Sequence, residues 1–208
     1  MENTRIEAGR IQRLNTRESS GGDYVLYWMQ QSARAEHNPA LEFAIQRANE
    51  AKLPLLVGFG LMDDYPEANA RHYRFLLEGL RDTGRALERR RIPFVVQRGS
   101  PEAVALKLAR RAALVVADRG YLRHQKQWRR TLADKAACPV FQVEGDVVVP
   151  VDIASNKAEW AARTLRPKLH RAWDAYRCRS RPRNSRRTRR AWGCRAWTWR
   201  TWTPCSAS

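Results

Sequence analysis

Three short strings in this chain combine residue types that can hold a ligand. Asp118-Arg119-Gly120-Tyr121 sets a carboxylate, a guanidinium and a phenol around a glycine. Met29-Gln30-Gln31-Ser32 places two amides and a hydroxyl directly after an apolar run. Gly99-Ser100 precedes Pro101-Glu102, so backbone N–H groups stand open at a helix start. Each string also has a plainer reading: Asp118 as the cap of the next helix, Ser100 as an N-cap, and 29–32 as an ordinary strand-to-helix connection. Asp63-Asp64 resembles half of a metal site, but adjacent carboxylates in a polar loop, with no His or further acid beside them, are ordinarily solvated. Arg123, Lys126, Arg129 and Arg130 recur at helical spacing beside Trp128, which gives either a stripe facing nucleic acid or a solvated face. His37, His72, His124 and His170 have no partner at a recognisable spacing, so none is assigned acid–base work. Cys178, Cys194 and Cys205 fit no zinc pattern, and no metal is expected. Cys138 precedes an apolar run and reads as a buried thiol.

These strings sit at the ends of apolar runs. Segments 24–29, 55–59, 93–97, 113–117 and 139–143 are compact and rich in Val, Leu, Ile and aromatics. Between them lie helical patterns: one opening at Asn38-Pro39, a long amphipathic one over 68–91 using Phe75, Leu76, Leu80 and Leu87, one opening at Ser100-Pro101, and a basic one over 122–137. Strands this apolar are buried on both faces, so the expected fold is α/β, a Rossmann-like, doubly wound sheet of five parallel strands. Such sheets bind ligands beyond the carboxyl ends of their strands. The loops placed there are 29–38, 60–70, 98–101 and 118–122. Neither G-x-G-x-x-G nor a Walker A string occurs, which speaks against an ordinary dinucleotide or P-loop site.

Charge divides the chain. The net charge is +18, from 39 Lys+Arg against 21 acids, and ten of the arginines follow Tyr176, where there is no acid. Residues before 177 therefore carry a net +8, moderately basic and compatible with work beside DNA. Residues 1–22 are polar, end in Ser-Ser-Gly-Gly and read as a flexible arm; 23–176 read as the α/β domain. No apolar run suits a signal peptide or a spanning helix, so a cytoplasmic location away from membranes is expected.

Five strings together are specific: YVLYWMQ (24–30), FGLMDDYPEANARHYRFLLEGLRD (59–82), GSPEAVALKLA (99–109), VVADRGYLRHQKQWRR (115–130) and QVEGDVVVPVDIASNKAEWAARTLRPK (142–168). Over residues 5–176 the chain resembles the amino-terminal half of class II cyclobutane-pyrimidine-dimer DNA photolyases. The resemblance implies a Rossmann-like antenna domain that packs in cis against a larger helical domain. In the family that second domain holds FAD in a bent shape and accepts the flipped-out lesion of damaged DNA. Light-excited reduced FAD donates an electron, the cyclobutane ring splits, and the electron returns. All catalytic residues are thus expected outside this chain, and FAD is not expected in it. The resemblance further implies an antenna pocket for a deazaflavin-type or other chromophore, with Met29, Gln30, Gly99, Ser100, Asp118 and Arg119 as candidate wall residues.

Residues 177–208 hold ten Arg, four Trp and three Cys, with no Asp, Glu or Lys. Tryptophan has a single codon, so each Trp fixes three bases. Shifting the frame by one nucleotide converts the segment into an acidic, leucine-patterned stretch with a Pro/Ala linker. It also restores V-P-L where the family pattern has it. The expectation is a frameshifted, disordered tail on a fragment without repair activity. Two other readings stay open: a basic nucleic-acid-binding protein whose Arg/Trp tail stacks on bases, and a cryptochrome-like photoreceptor fragment.

Overall fold

The computed structural model describes residues 6–19, 21–177, 184 and 186. Strands and helices alternate: β1 (Ile11–Arg13), β2 (Tyr24–Trp28), α1 (Pro39–Ala51), β3 (Leu55–Leu61), α2 (Ala70–Arg89), β4 (Phe94–Arg98), α3 (Pro101–Ala109), β5 (Ala112–Asp118), α4 (Arg123–Lys135), β6 (Val140–Val143), α5 (Val151–Ala154) and α6 (Ala162–Tyr176). The sheet order is β1-β6-β5-β2-β3-β4. All neighbouring pairs are parallel except β1 with β6. The order reverses direction at β2, so the loops after β2 and β5 flank the switch point where α/β sheets open a crevice.

The sheet therefore has six strands, where the sequence reading gives five. The extra strand comes from the segment read as a flexible arm. Ile11, Gln12 and Arg13 pair with Val143, Gln142 and Phe141. Asn15 extends the seam, donating to the carbonyls of Ala133 and Cys138 and accepting from the Val140 N–H. Ile6 is buried, and Arg10, also buried, donates to the carbonyls of Val147, Val148 and Tyr176. A three-residue edge strand whose one apolar residue is Ile11 is too short to give an alternating apolar signal. Apart from Arg177, Asn184 and Arg186, the tail reading concerns residues outside those described.

Side chains of each central strand alternate between two cores. Val25, Tyr27, Leu55 and Val57 meet Leu41, Ile45 and Leu87 on the face of α1 and α2. Leu26, Trp28, Leu56 and Val115 meet Leu108 and Leu132 on the face of α3 and α4. Asn38 caps α1 by accepting from Leu41 N–H. Pro101 begins α3, but Ser100 makes no side-chain cap bond there, so the expected hydroxyl cap is not used. Gly60 lets β3 approach the α3 start closely: a Cβ there would lie 2.6 Å from Pro101 Cα. Phe75 departs from its expected core role and is 82% exposed on α2, whereas Leu80 and Leu87 are buried. Helices α5 and α6 have no buried residues.

Candidate ligand pocket at the carboxyl edge of the sheet

A cavity of about 280 Å³ opens beyond the carboxyl ends of β2 and β3. Met29 and Gln30 enter from the β2 loop, Phe59, Gly60 and Leu61 from β3, and Met62, Tyr65 and Ala68 from the connection to α2. His72, Tyr73 and Leu76 of α2, Pro101 of α3, and Gln125 and Trp128 of α4 complete the lining. The walls are mainly apolar and aromatic with few polar groups, the usual make-up of a small-molecule site.

Asp118 fixes the floor from beneath. Its side chain is buried at the end of β5 and accepts from Tyr27 Oη at 2.7 Å and from the N–H groups of Gln30, Gln31 and Ser32, each at 3.0 Å. Asn38 donates to Tyr27 Oη at 2.8 Å and to the Ser32 carbonyl at 3.1 Å, closing the loop onto α1. Burial raises the Asp118 carboxyl above its ordinary range, and the Tyr27 hydroxyl and three N–H donors counter it. Burial first, then the Asp118 charge, raises the Tyr27 phenol well above its ordinary value. Asp118 thus holds the strand-to-loop turn and does not cap α4.

The cavity mouth is held from two sides. Tyr65 N–H donates to Tyr73 Oη at 3.0 Å, and Tyr65 Oη lies 3.1 Å from His124 Nε2. The His124 ring sits 4.8 Å from the Trp128 ring. Asp63, half of the acidic pair, is bonded by Arg98. That guanidinium lowers its carboxyl. Among the described residues no three His, Cys, Asp or Glu cluster to hold a metal. Gln125 spends its amide on Leu122 N–H and Gln31 Oε1. Gln30 differs: both its Oε1 and Nε2 are buried without a partner.

The six candidate wall residues separate accordingly. Met29 and Gln30 line the cavity, and Asp118 lies under it. Gly99 and Ser100 stand just outside, with Gly99 at φ +140° donating to the Leu61 carbonyl, while their neighbour Pro101 lines the wall. Arg119 turns to a different cluster, bonding Asp152 at 2.6 Å and Glu144 at 3.2 Å. Glu144, 1% exposed, also accepts from Tyr121 Oη and Val151 N–H. The sequence reading missed Tyr65, His72, Tyr73, Gln125 and Trp128 as wall residues. Tyr65 falls inside a loop placed at this edge, but the helical contributors carry no local signal.

The basic stripe on α4 is broken by Arg129, which is buried and donates to Gln142 Oε1 at 3.0 Å and to the Gly120 carbonyl at 2.7 Å. Desolvation brings its pKa down to about 10, so it stays charged at neutral pH. Cys138 is buried, and burial raises its thiol. A second groove of about 490 Å³ runs between 147–159 and α6, with Val148, Val151, Leu165, Leu169 and Trp173 in its walls. No helix among the described residues is long and apolar enough to cross a membrane.

The cavity does not suit FAD. Its lining offers no Lys or Arg to a diphosphate, and the sheet carries no glycine-rich phosphate loop. A planar, uncharged ring system fits the aromatic walls better.

Residues 25–186 match the family model described as DNA photolyase. The deoxyribodipyrimidine photo-lyase of Methanothermobacter thermautotrophicus is 53% identical over 167 residues, covering 80% of this chain and 38% of that protein. The deoxyribodipyrimidine photo-lyase of Potorous tridactylus is 35% identical over 149 residues, covering 70% of this chain and 28% of that protein. The chain thus spans less than two fifths of the length of these relatives. A crystal structure of a class III photolyase from Agrobacterium tumefaciens superposes with a TM-score of 0.63 over 85% of this chain and 37% of that one. At 18% identity that likeness bears on the fold alone. On the family match and the identities to curated relatives, this chain belongs to the DNA photolyase family.

Proposed function

We propose that residues 23–176 form the antenna domain of a class II cyclobutane-pyrimidine-dimer photolyase, and that the carboxyl-edge cavity holds a deazaflavin-type light-harvesting chromophore. The observation that carries this reading is the cavity itself: aromatic, without Lys or Arg in its lining, beside the switch point of a photolyase-family sheet. The class assignment rests on the five sequence strings. FAD, the flipped-out lesion and light-driven electron transfer belong to a helical domain outside these residues. A damaged DNA duplex is the partner of that whole assembly, in the cytoplasm.

The test reconstitutes the purified chain with 8-hydroxy-5-deazariboflavin and, separately, with FAD, then illuminates each with dimer-containing DNA. Expected are stoichiometric deazaflavin binding with a shifted absorption band, no retained FAD and no dimer splitting. Stoichiometric FAD with light-dependent splitting would overturn the assignment. The 177–208 segment is proposed to be a one-nucleotide frame change of an acidic linker, on its Trp and Arg content. Resequencing the coding DNA decides this, and an uninterrupted frame encoding these residues rejects it.

A further inference from the structure

We infer that residues 6–15 act as a strap on the carboxyl end of α6, so that the amino-terminal arm fixes the point at which the chain leaves the α/β domain. The strap centres on Arg10, which is buried. A guanidinium has five N–H donors, and in Arg10 all five are used. Nε donates to Glu7, Nη1 to the carbonyls of Glu144 and Val147, and Nη2 to the carbonyls of Val148 and Tyr176. Tyr176 is the last residue of α6 and lies 166 residues further along the chain. Its ring centre is also 5.3 Å from the guanidinium, within the range of a cation–π contact.

The last carbonyls of a helix lack partners within it and carry the negative end of its dipole. The last turn of α6 contains Asp174 and no cation, and Arg177, next in sequence, pairs with that Asp174. Arg10 supplies the missing donor and a charge of the favourable sign. Gly9 makes room for this contact: a Cβ there would overlap Tyr176 Oη and stand 3.1 Å from Ile153 Cγ1. The arm is anchored independently of α6. Ile6 is buried in the core, Leu14 N–H donates to the Val140 carbonyl at 2.8 Å, and the Arg10 carbonyl accepts from Glu144 N–H at 2.9 Å. Helix α6, by contrast, buries no residue. A firmly seated arm thus carries a helix that has little core of its own, and the chain after Arg177 starts from a place set by that arm.

Amide hydrogen exchange on the full chain at neutral pH provides the test, with Arg10→Met beside the unmodified protein. Exchange in 162–176 should accelerate about tenfold or more, as the loss of a charged hydrogen bond at a helix end implies. Strands 25–28 and 114–117 should keep their unmodified rates. Equal acceleration in those strands would make Arg10 a general support of the fold and overturn the strap. Unchanged exchange in 162–176 would overturn it as well. If Arg10→Met does not fold, Gly9→Ala decides, because it keeps every Arg10 donor and displaces the Tyr176 ring. It should speed exchange in 162–176 alone by about threefold, the scale of an exposed cation–π contact. No change in Gly9→Ala, or a change shared with the strands, rejects the strap.

Discussion

The carboxyl edge of the sheet and the segment from Gly145 to Tyr176 satisfy their acids in opposite ways. Asp118 is buried and takes its donors from a buried phenol and three backbone N–H groups. Glu159, in the second region, has a side chain only 6% exposed but is bonded by side chains alone, those of Lys168, Thr164 and Ser155. The first arrangement is welded into the strand-loop-helix path and cannot form without the fold. The second joins flexible side chains across a helix pair that buries no residue of its own. Around it Trp160 is 88% exposed and Trp173 46%. A region closed by backbone donors is a finished platform for a ligand. One closed by long side chains over apolar surface is suited to adjust against a covering partner.

The largest expected effect is at Asp118. Asp118→Ala strands the Tyr27 hydroxyl and three N–H groups in the interior and should cost about 3–4 kcal/mol in urea unfolding. Tyr27→Phe removes one donor to Asp118 and one of the three acceptors of Asn38, and should cost about 1.5 kcal/mol. A loss below about 1 kcal/mol for Asp118→Ala would break the contrast, by showing that the loop holds without its hub. Glu144 stands where the two regions meet, tied to Arg119, Tyr121 and Val151. Glu144→Gln keeps the shape but weakens the charged bonds, with an expected loss of about 2 kcal/mol. If this loss exceeds that of Asp118→Ala, the anchor of the molecule lies between the regions and not beneath the cavity.

How much of this was legible in the sequence follows from which interactions are local. The five parallel strands could be read because two-sided burial forces unbroken apolar runs such as Leu114-Val115-Val116. The α1 start could be read because Asn38-Pro39 is a cap written in adjacent residues. Strand β1 could not, since three residues, of which only Ile11 is apolar, are too few for an alternating pattern. Asp118 reads equally as a pocket wall or as the cap of the helix next in sequence, and neither reading finds its partners, which lie 86 to 91 residues away. For the cavity, Met29 and Gln30 follow a strand and could be placed, whereas Tyr73 and Trp128 reach it only once α2 and α4 have docked. Arg119 was put on the correct loop but on the wrong side, because Glu144 and Asp152 pull it away. A spacing rule finds the loops; long-range hydrogen bonds decide which way their side chains turn.

Acid separates the two regions by sign. Lys168, then Thr164 and Ser155, lower the Glu159 carboxyl from 4.5 to about 2. A carboxyl depressed in the fold stabilises above its unfolded value and loses that contribution as pH falls towards the folded value. The α5–α6 anchorage should therefore loosen between pH 4.5 and about 2. Asp118 is raised by burial, so its effect has the reverse sign: protonation in acid relieves the cost of the buried charge. Amide exchange across this range should accelerate in 162–176 before it does in 30–32. Lys168→Met should remove the acid dependence of the first segment alone. Simultaneous acceleration in both would mean that the regions unfold as one unit.

The smallest stability effect is expected where the most apolar surface is exposed. Trp160 contributes almost nothing to a core at 88% exposure, so Trp160→Ser should shift unfolding by less than about 0.5 kcal/mol. Its surface is nevertheless large, and it shares the segment with exposed Val151, Ile153 and Trp173. Contiguous exposed apolar groups drive association far more than a single one. Trp160→Ser should therefore lower self-association in sedimentation at unchanged thermal midpoint, while Phe75→Ser, on the exposed face of α2, should leave it unaltered. A drop in midpoint with Trp160→Ser would place this side chain in the fold's own stability, and the contrast between a closed platform and an open face would fail at the residue that displays it most.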